Sequence, residues 1–377
     1  MFDAAIALRH QLHQQPCLSG AEAATADQIG AFLLPLRPDQ LITGLGGHGL
    51  AAVFAGAAPG PCILLRCELD ALPIQELGGQ GHCSQIAGVG HQCGHDGHMA
   101  ILAAVAQSLA RQRPRNGRVV LLFQPAEETG DGAAAVVADP RFAPLQPDYC
   151  FALHNVPGYP LGQLLLRDGP FSCASRGMAI NLHGTTAHAA QPESGLSPAS
   201  AMCRIIAELG DLPAAVRGED SILFATVVGA KLGEKAFGTA PGQASVWATL
   251  RSQSDAGMQR LLTHAEALVR DAADQFGLRA EIAYQDVFPA TANSDQAMAI
   301  LRRAAGSQAV LELPQPFRWS EDFGHFTARF PGAMFGIGAG EHSPDLHNPD
   351  YDFPDQLIPI ASSLFLQIVS QALDTPP

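Results

Sequence analysis

Ten consecutive residues, "HQCGHDGHMA" at 91–100, contain three histidines, one cysteine and one aspartate. Thiolates and imidazoles are good ligands for zinc-like ions, and the i, i+2 spacing of Cys93 and His95 lets both side chains face one point in a turn. A structural zinc site would more usually show a CxxC pair, which the chain lacks. The decapeptide therefore predicts a metal site of another kind.

Further candidate side chains occur at four other points of the chain. Asp70 lies in "ELDALP", Glu127 and Glu128 in "QPAEE", His154 in "LHNVPG" and His347 in "DLHNPDYDFPD". Of two adjacent carboxylates, one can bind metal while the other stays available as a base. Two metal ions need about this many protein ligands, and paired ions bracket a water well suited to attack a carbonyl. The residue types thus indicate hydrolytic chemistry at a pair of cations.

The elements around these residues predict that they meet. Apolar runs indicate buried strands at 61–68, 117–124 and 147–156, and a strong helix is predicted at 97–112. Strand, helix and strand in that order indicate an α/β fold with a mostly parallel sheet and helices on both faces. Because parallel strands place their C-terminal ends along one edge, we expect the polar clusters that follow these strands to converge there.

The pattern changes in the middle of the chain. Residues 174–286 show a β-α-β-β-α-β order, which matches a ferredoxin-like unit whose antiparallel sheet has one face available for another subunit. From 287 the chain is expected to return to the first domain. The sequence therefore predicts a metal-binding catalytic domain formed by 1–173 and 287–377, with an inserted α+β domain at 174–286.

Length and composition limit the class of protein. A chain of 377 residues is too long for one typical core, which favours two domains. A formal net charge of −14 argues against nucleic acid as a partner, because an acidic surface repels phosphate. The first residues do not resemble a secretory signal, the apolar stretches are too short to span a bilayer, and the eight scattered cysteines suit a reducing compartment. We therefore expect a cytoplasmic protein with no membrane partner.

Six motifs together resemble those of the M20 metallopeptidases in order and approximate spacing. They are "ELDALP", "HQCGHDGH", "FQPAEE", "LHNVPG", "GTTAHAAQP" and "LHNPDYDF". The resemblance covers nearly the whole chain and is closest to the amidohydrolase subfamily, which includes hippurate hydrolase, bacterial N-acyl-amino-acid amidohydrolases and plant auxin-conjugate hydrolases. The combination of "CGHDGH" with "PAEE" is far more specific than either motif alone.

The resemblance implies roles for individual residues. Five would be metal ligands: Cys93, His95, Glu128, His154 and His347. Glu127 would be the general base, and Asp70 would orient and tune a ligand imidazole. His188 would reach the active site of a partner subunit, in a homodimer or a larger assembly, and help to stabilise an oxyanion there. The inserted domain would accordingly act as a lid and dimerisation domain.

Two positions depart from the family pattern. The family usually has Asp where this chain has Glu68, and its Asn-Val-Ile-Pro-like segment is replaced by "AFGTAPGQ" at 236–243. The missing Asn affects a contact with substrate or oxyanion, so we expect a substrate preference of this chain's own. Arg251, in "VWATLR", is a further candidate for binding a substrate carboxylate, since a guanidinium forms a bidentate pair with it.

These expectations combine into metal-dependent hydrolysis of the amide bond of N-acyl amino acids or similar conjugates. Two divalent ions per subunit (Zn, Mn, Co or Ni) would lower the pKa of a water whose proton Glu127 takes and then passes to the leaving amine. Three alternatives stay open: a dipeptidase or aminopeptidase of the broader M20 group, a metal-binding protein without catalysis, and a structural zinc protein. The sequence does not determine the acyl group, the amino acid or the native metal.

Overall fold

The computed structural model describes residues 2–374 of the chain. Its α-helices are α1 (Asp3–Gln14), α2 (Ala23–Leu33), α3 (His95–Arg111), α4 (Gly132–Ala138), α5 (Ala199–Val216), α6 (Asp255–Gln275), α7 (Asp295–Ala305), α8 (Gly324–Thr327) and α9 (Leu357–Leu373). Its strands are β1 (Gln40–Leu45), β2 (Gly49–Ala55), β3 (Ala58–Glu68), β4 (Asn116–Gln124), β5 (Tyr149–Val156), β6 (Leu164–Leu166), β7 (Gly169–Ser172), β8 (Ala174–His183), β9 (Ala187–His188), β10 (Leu223–Leu232), β11 (Thr239–Ala240), β12 (Gln243–Ser252), β13 (Arg279–Phe288), β14 (Thr291–Asn293), β15 (Val310–Glu312) and β16 (Gly332–Gly338).

The chain divides into two compact units, and unit 1 comprises residues 2–171, 291–315 and 322–374 of the described part. Its main sheet has the strand order β1-β2-β4-β3-β5-β16-β6-β15. The central strands β4, β3, β5 and β16 pair in parallel, as do β6 and β15, whereas β1, β2 and the β16–β6 contact are antiparallel. The predicted α/β class with a large, mostly parallel sheet and accompanying helices is confirmed.

The apolar runs of the sequence become the centre of unit 1. The five successive residues of β4 from Val119 to Phe123 are fully buried, so both faces of the sheet are covered. The helices α3 and α9 pack on each other and on β3. Their small and branched side chains, such as Ala103 and Ile368, share one continuous core with the sheet. This packing fixes the start of α3 close to the C-terminal ends of the strands.

Unit 2 comprises residues 172–290 and 316–321. Its elements follow the predicted β-α-β-β-α-β order, and its antiparallel sheet has the strand order β10-β12-β8-β13. Alternate residues of β8, namely Met178, Ile180 and Leu182, are buried in a core with α5 and α6. Trp247 on β12 is 41% exposed. A lid or dimerisation role for this unit stays a prediction.

Several element boundaries differ from the predicted ones, for local reasons. The helical spacing of apolar residues at 21–36 predicts one helix, whereas the α-helix ends at Leu33 and the last turn tightens to a 3₁₀ helix that contains Pro35. In the inserted unit the sequence pattern predicts a helix at 197–209, but α5 continues to Val216 in spite of Pro213. Within residues 2–374, each helix is too short or too polar to cross a bilayer.

Candidate metal centre

A glycine turn sets the positions of Cys93 and His95. Gly94 has φ +90°, a conformation that side-chain-bearing residues rarely adopt, and an added Cβ would lie 2.7 Å from Oδ1 of Asn155. The helix α3 begins immediately afterwards, at His95. Cys93 and His95 are both buried. The crowded decapeptide is therefore a tight turn into a buried helix start, with the thiol and the imidazole on its inner side.

Two other segments of the site adopt a left-handed backbone without glycine. Ala126 has φ +50° and His347 has φ +67°. Ala126 directly precedes Glu127 and Glu128, and its N–H donates to Oε1 of Glu22 at 2.8 Å. The N–H of His347 donates to the carbonyl of Gln92 at 2.9 Å, beside the decapeptide. Non-glycine residues held at positive φ are uncommon and occur often at functional sites.

Hydrogen bonds orient two of the imidazoles so that their Nε2 atoms face the cluster. Nδ1 of His95 donates to the carbonyl of Asp70 at 2.9 Å, and Nδ1 of His154 donates to the carbonyl of Asn155 at 2.8 Å. A carbonyl can only accept, so the proton of each neutral ring resides on Nδ1. Nε2 of His95 is buried and has no hydrogen-bond partner among residues 2–374. Both rings thus present a lone pair, as a metal ligand must.

The five predicted metal ligands lie together in unit 1. Cys93, His95 and His154 form one group whose ligand atoms lie within 4.8 Å of one another, and Cys93, Glu128 and His347 form another. Sγ of Cys93 is 3.5 Å from Nε2 of His154, and Oε1 of Glu128 is 3.9 Å from Nε2 of both His95 and His347. The two groups share Cys93, so their ligand atoms are adjacent.

Glu127 lies beside these groups. Its Oε2 is 3.8 Å from Nε2 of His95, and with His95 and Glu128 it forms a third group of the same compactness. Its side chain is buried. The turn at Ala126 thus brings both adjacent carboxylates to the centre, where one can serve as a ligand and the other can act on a bound water.

Asp70 contacts two of the segments that form the centre. Its Oδ2 accepts from the hydroxyl of Ser19 at 2.7 Å and from the backbone N–H of Glu128 at 2.9 Å, and its Oδ1 is 3.5 Å from Nδ1 of His95. Burial would raise the pKa of Asp70, but the interaction with His95 and these hydrogen bonds hold it below its usual value. Asp70 therefore connects the histidine of one motif to the carboxylates of another.

Negative charge dominates the centre. Burial acts to lower the pKa of His95, but Asp70, Glu68 and Glu128 raise it to about 10. Burial together with Glu128 and Glu127 raises the pKa of the Cys93 thiol well above its usual value. A bound cation would reverse both effects, because it holds a thiolate and a neutral imidazole as ligands.

The donor set fits a divalent transition metal. One thiol sulfur, three imidazole nitrogens and carboxylate oxygens are the ligands that zinc and its neighbours accept in proteins. The buried Nε2 of His95, without a hydrogen-bond partner in the described residues, supplies an independent indication. The residues present are therefore suited to hold the metal ions that the sequence motifs imply.

Two predicted site residues belong to unit 2 and take no part in this cluster. His188 ends the short strand β9, which pairs with β11, and its side chain is exposed. Its Nδ1 accepts from the N–H of Ala190 at 3.0 Å. The guanidinium of Arg251 donates to the carbonyl of Arg318 at 2.8 Å and to the hydroxyl of Ser320 at 2.9 Å. Their predicted roles in catalysis and substrate binding stay predictions.

Sequence reasoning missed a buried network that adjoins the centre. Nδ1 of His98 is 2.6 Å from Oε2 of Glu68, and Glu68 also pairs with Arg66, which pairs in turn with Asp322. All four side chains are almost completely buried. His98 was visible as the third histidine of the decapeptide, whereas nothing around Asp322 in the sequence indicates that it contacts β3.

Comparisons with known proteins show which family the chain resembles in sequence. Residues 64–371 match the model of Peptidase family M20/M25/M40. The chain is 31% identical to an N-acetyl-L-cysteine deacetylase of Bacillus subtilis (strain 168), over 98% of this chain and 88% of that protein. It is 29% identical to the hippurate hydrolase of Campylobacter jejuni, over 97% of this chain and 96% of that protein.

A solved structure supports the fold. The YxeP protein of Bacillus subtilis, described as a dinuclear metal binding peptidase from the M20 family, superposes with a TM-score of 0.85. It is 24% identical in sequence, and the match covers 99% of this chain and 98% of that one. Together with the match over most of the sequence, these comparisons establish that the chain belongs to Peptidase family M20/M25/M40.

Proposed function

We propose that this protein is a metal-dependent amidohydrolase that cleaves the amide bond of N-acyl amino acids or similar conjugates. The observation that carries the proposal is the meeting of Cys93, His95, Glu128, His154 and His347 in compact groups, with the carboxylate of Glu127 beside them. The relatives support the substrate class, since they include a deacetylase of N-acetyl-L-cysteine and a hydrolase of hippurate. In hippurate and in N-acetyl-L-cysteine alike, an acyl group is joined by an amide to an amino acid.

The five ligand candidates are proposed to hold two divalent ions, with Zn, Mn, Co or Ni as the ions to test. When bound, such ions would polarise the amide carbonyl and lower the pKa of a water. Cys93 belongs to both compact groups, with His95 and His154 in one and with Glu128 and His347 in the other. Asp70 keeps His95 in the tautomer whose Nε2 can bind, through the carbonyl contact at 2.9 Å.

Glu127 is proposed as the general base. Its carboxylate is placed by the strained turn at Ala126 and is buried next to the ligand groups. From there it would take a proton from the attacking water at Oε2 and later hand that proton to the leaving amine nitrogen. Burial keeps bulk water from competing for the proton during the transfer.

The test is the variant Glu127→Gln. We expect a loss of roughly 10²–10⁴ in kcat because the base is gone, with the metal content of the purified protein unchanged. Activity is read as released amine from N-acetyl amino acids, hippurate and dipeptides, after loading with Zn, Mn, Co or Ni. Glu208→Gln, an exposed carboxylate on α5, is the matched control and should keep full activity.

The outcomes separate the alternatives. Preference for dipeptides with a free amino terminus would indicate a peptidase of the broader family. Stoichiometric metal without turnover on any substrate would indicate a binding protein, and unfolding on metal removal would indicate a structural site. Near-normal activity of Glu127→Gln would contradict the role of Glu127.

His188 is proposed to act in the active site of a partner subunit. Because its Nδ1 accepts from the N–H of Ala190, the ring proton resides on Nε2, which is available as a donor to an oxyanion. The His188→Ala variant should turn over substrate slowly. Mixing it with the Glu127→Gln variant should restore part of the activity, because a hybrid dimer can form one site that has both Glu127 and His188. Absence of restoration, with hybrid dimers demonstrated, would contradict a shared site.

Arg251 is proposed to bind the substrate carboxylate. Its side chain is held by Arg318 and Ser320 within unit 2, and burial lowers its pKa. Arg251→Lys keeps the charge but loses the bidentate geometry, so we expect KM to rise more than kcat falls. A fall in kcat with KM unchanged would contradict this role.

A cytoplasmic location is proposed as well. All eight cysteines are free thiols, and those at 17, 83 and 203 are at least partly exposed. Exposed thiols without disulfides suit a reducing compartment.

A further inference from the structure

A buried chain of contacts connects Glu68 to one of the proposed metal ligands. Glu68 ends β3 and is fully buried. One carboxylate oxygen pairs with Arg66, and the other, Oε2, lies 2.6 Å from Nδ1 of His98. Arg66 is anchored in turn by Asp322 and by Oε1 of Gln124, to which it donates at 2.8 Å. The carboxylate is therefore fixed from one side and directed at His98 on the other.

The second nitrogen of His98 determines the tautomer of its ring. Nε2 lies 3.3 Å from the backbone nitrogen of Asn155, whose N–H can only donate. Nε2 must therefore accept, so the proton of a neutral ring resides on Nδ1 and is donated to Glu68. The ladder between β3 and β5 ends at Arg66 and Ala152, so that beyond this point Asn155 bonds to side chains rather than to β3.

Asn155 is held at its carbonyl as well, by His154. Nδ1 of His154 donates to that carbonyl at 2.8 Å, which leaves Nε2 of His154 facing Sγ of Cys93 at 3.5 Å. The N–H of Asn155 is thus fixed by His98 and its carbonyl fixes the ring of His154. A displaced Asn155 would free His154 to rotate or to place its proton on Nε2, where it could not bind a metal.

We propose that Glu68 and His98 are positioning residues, which act through the backbone of Asn155 to hold His154 ready as a metal ligand. The inference rests on the proposed function, since it concerns the affinity of the metal centre. Neither residue is proposed to touch substrate. The family that the motifs resemble usually has Asp where this chain has Glu68. The longer side chain of Glu68 contacts both Arg66 and His98.

The test measures binding of Zn²⁺ alone to the metal-free protein by calorimetry with a competing chelator. For His98→Phe and for Glu68→Gln we expect Zn²⁺ affinity to fall by about 10- to 100-fold, the usual cost of removing a partner that orients a ligand. The double variant should bind no worse than His98→Phe alone, because Glu68 acts through His98. Glu68→Asp, which keeps the charge, should lose less affinity than Glu68→Gln.

The control is Asp220→Asn in unit 2. Asp220 is a buried carboxylate paired with Arg260, so its loss should lower stability while leaving Zn²⁺ affinity unchanged. Single variants at Glu68 and His98 that are less stable but bind Zn²⁺ within twofold of the parent would overturn the inference, as would additive losses in the double variant. If the parent protein bound none of Zn²⁺, Mn²⁺, Co²⁺ and Ni²⁺, the proposed function itself would fail. Should His98→Phe not fold, Glu68→Asp and Glu68→Gln decide the question.

Discussion

In unit 1 the guanidinium groups of Arg9 and Arg66 are almost completely buried and are paired with carboxylates. In unit 2 the ion pairs of Arg204 with Glu208 and of Arg270 with Glu266 lie largely in contact with water. Removing charges from water is costly, and a buried pair seldom repays that cost in stability. The buried pairs of unit 1 are therefore better explained by what they position than by what they stabilise.

Arg9 illustrates this difference. Its Nε donates to Asp96 at 2.7 Å, and its other nitrogens pair with Asp352 and with Asp355 at 3.1 Å. Asp96 follows the proposed ligand His95 directly, and Asp352 comes five residues after His347. One side chain on α1 thus joins two distant segments that carry proposed metal ligands.

The largest effect is expected for Arg9→Met. The substitution breaks a buried ion pair and leaves His13 as the remaining charged partner of Asp96, which should lower the free energy of unfolding by about 3–5 kcal/mol. Urea denaturation followed by circular dichroism measures this. A loss of unfolding free energy below about 1 kcal/mol would show that water reaches Asp96 in the variant. The contrast between the buried ion pairs of unit 1 and the exposed pairs of unit 2 would then be much weaker.

His13 is expected to make the stability of the fold depend on pH. Its Nδ1 lies 2.8 Å from Oδ2 of Asp96 and its Nε2 3.1 Å from Oε1 of Glu76. Burial opposes the charge, but Asp96 and Glu76 raise the pKa of His13 to about 9. A pKa raised in the folded state contributes stability that is fully present below the unfolded value of about 6.5 and is lost as pH rises through 9, on the order of 2–3 kcal/mol.

Urea midpoints between pH 6.5 and 9.5 test this expectation. The decline over that range should be clearly smaller in His13→Asn than in the parent protein. The exposed histidine of α6 gives the control, since His264→Asn should decline as the parent does. An equal decline in all three proteins would assign the pH dependence to other groups.

Two helical glycines allow a smaller, matched comparison. A Cβ added to Gly97 on α3 would lie 2.3 Å from the ring of Phe353, whereas one added to Gly210 on α5 would meet nothing within 4 Å. Gly97→Ala should therefore destabilise by about 1–3 kcal/mol through overpacking. Gly210→Ala should stabilise by roughly 0.5–1 kcal/mol, because alanine is the better helix former. Effects of the same sign in thermal unfolding would contradict the packing seen at α3.

The smallest effect is expected at the surface of unit 2. Arg204→Ala removes an exposed i, i+4 pair with Glu208, and such pairs contribute about 0.3–0.5 kcal/mol. The change should shrink further in 0.5 M salt, since exposed pairs are screened. A loss comparable with that of Arg9→Met would remove the distinction between the two units.

Much of the fold could be predicted from local pattern. The apolar runs predicted the bounds of β3, β4 and β5 to within a few residues, because strands buried on both faces are almost continuously hydrophobic. Because parallel strands end along one edge, the sequence also predicted that Cys93 would lie near both Glu128 and His154, and Cys93 forms one compact group with His154 and another with Glu128. The M20 resemblance is confirmed by the family match, and the α/β class by the sheet.

Helix and strand ends were predicted less well. Pro213 stands inside α5, although proline is expected to end a helix. β1 was missed because only one of its six residues is buried, so the strand lacks a clear alternation. Such elements depend on packing against neighbours that a local pattern does not contain.

The sequence by itself determined the types of the candidate ligand atoms, the order of the buried strands and the family, because residue identity and spacing carry that information. Only the tertiary structure decided which nitrogen of His95, His98 and His154 faces inward, since a tautomer depends on the hydrogen-bond partners that the fold supplies. It likewise decided that Asp322 would meet Arg66 across 256 positions of the chain, a contact that no local pattern encodes.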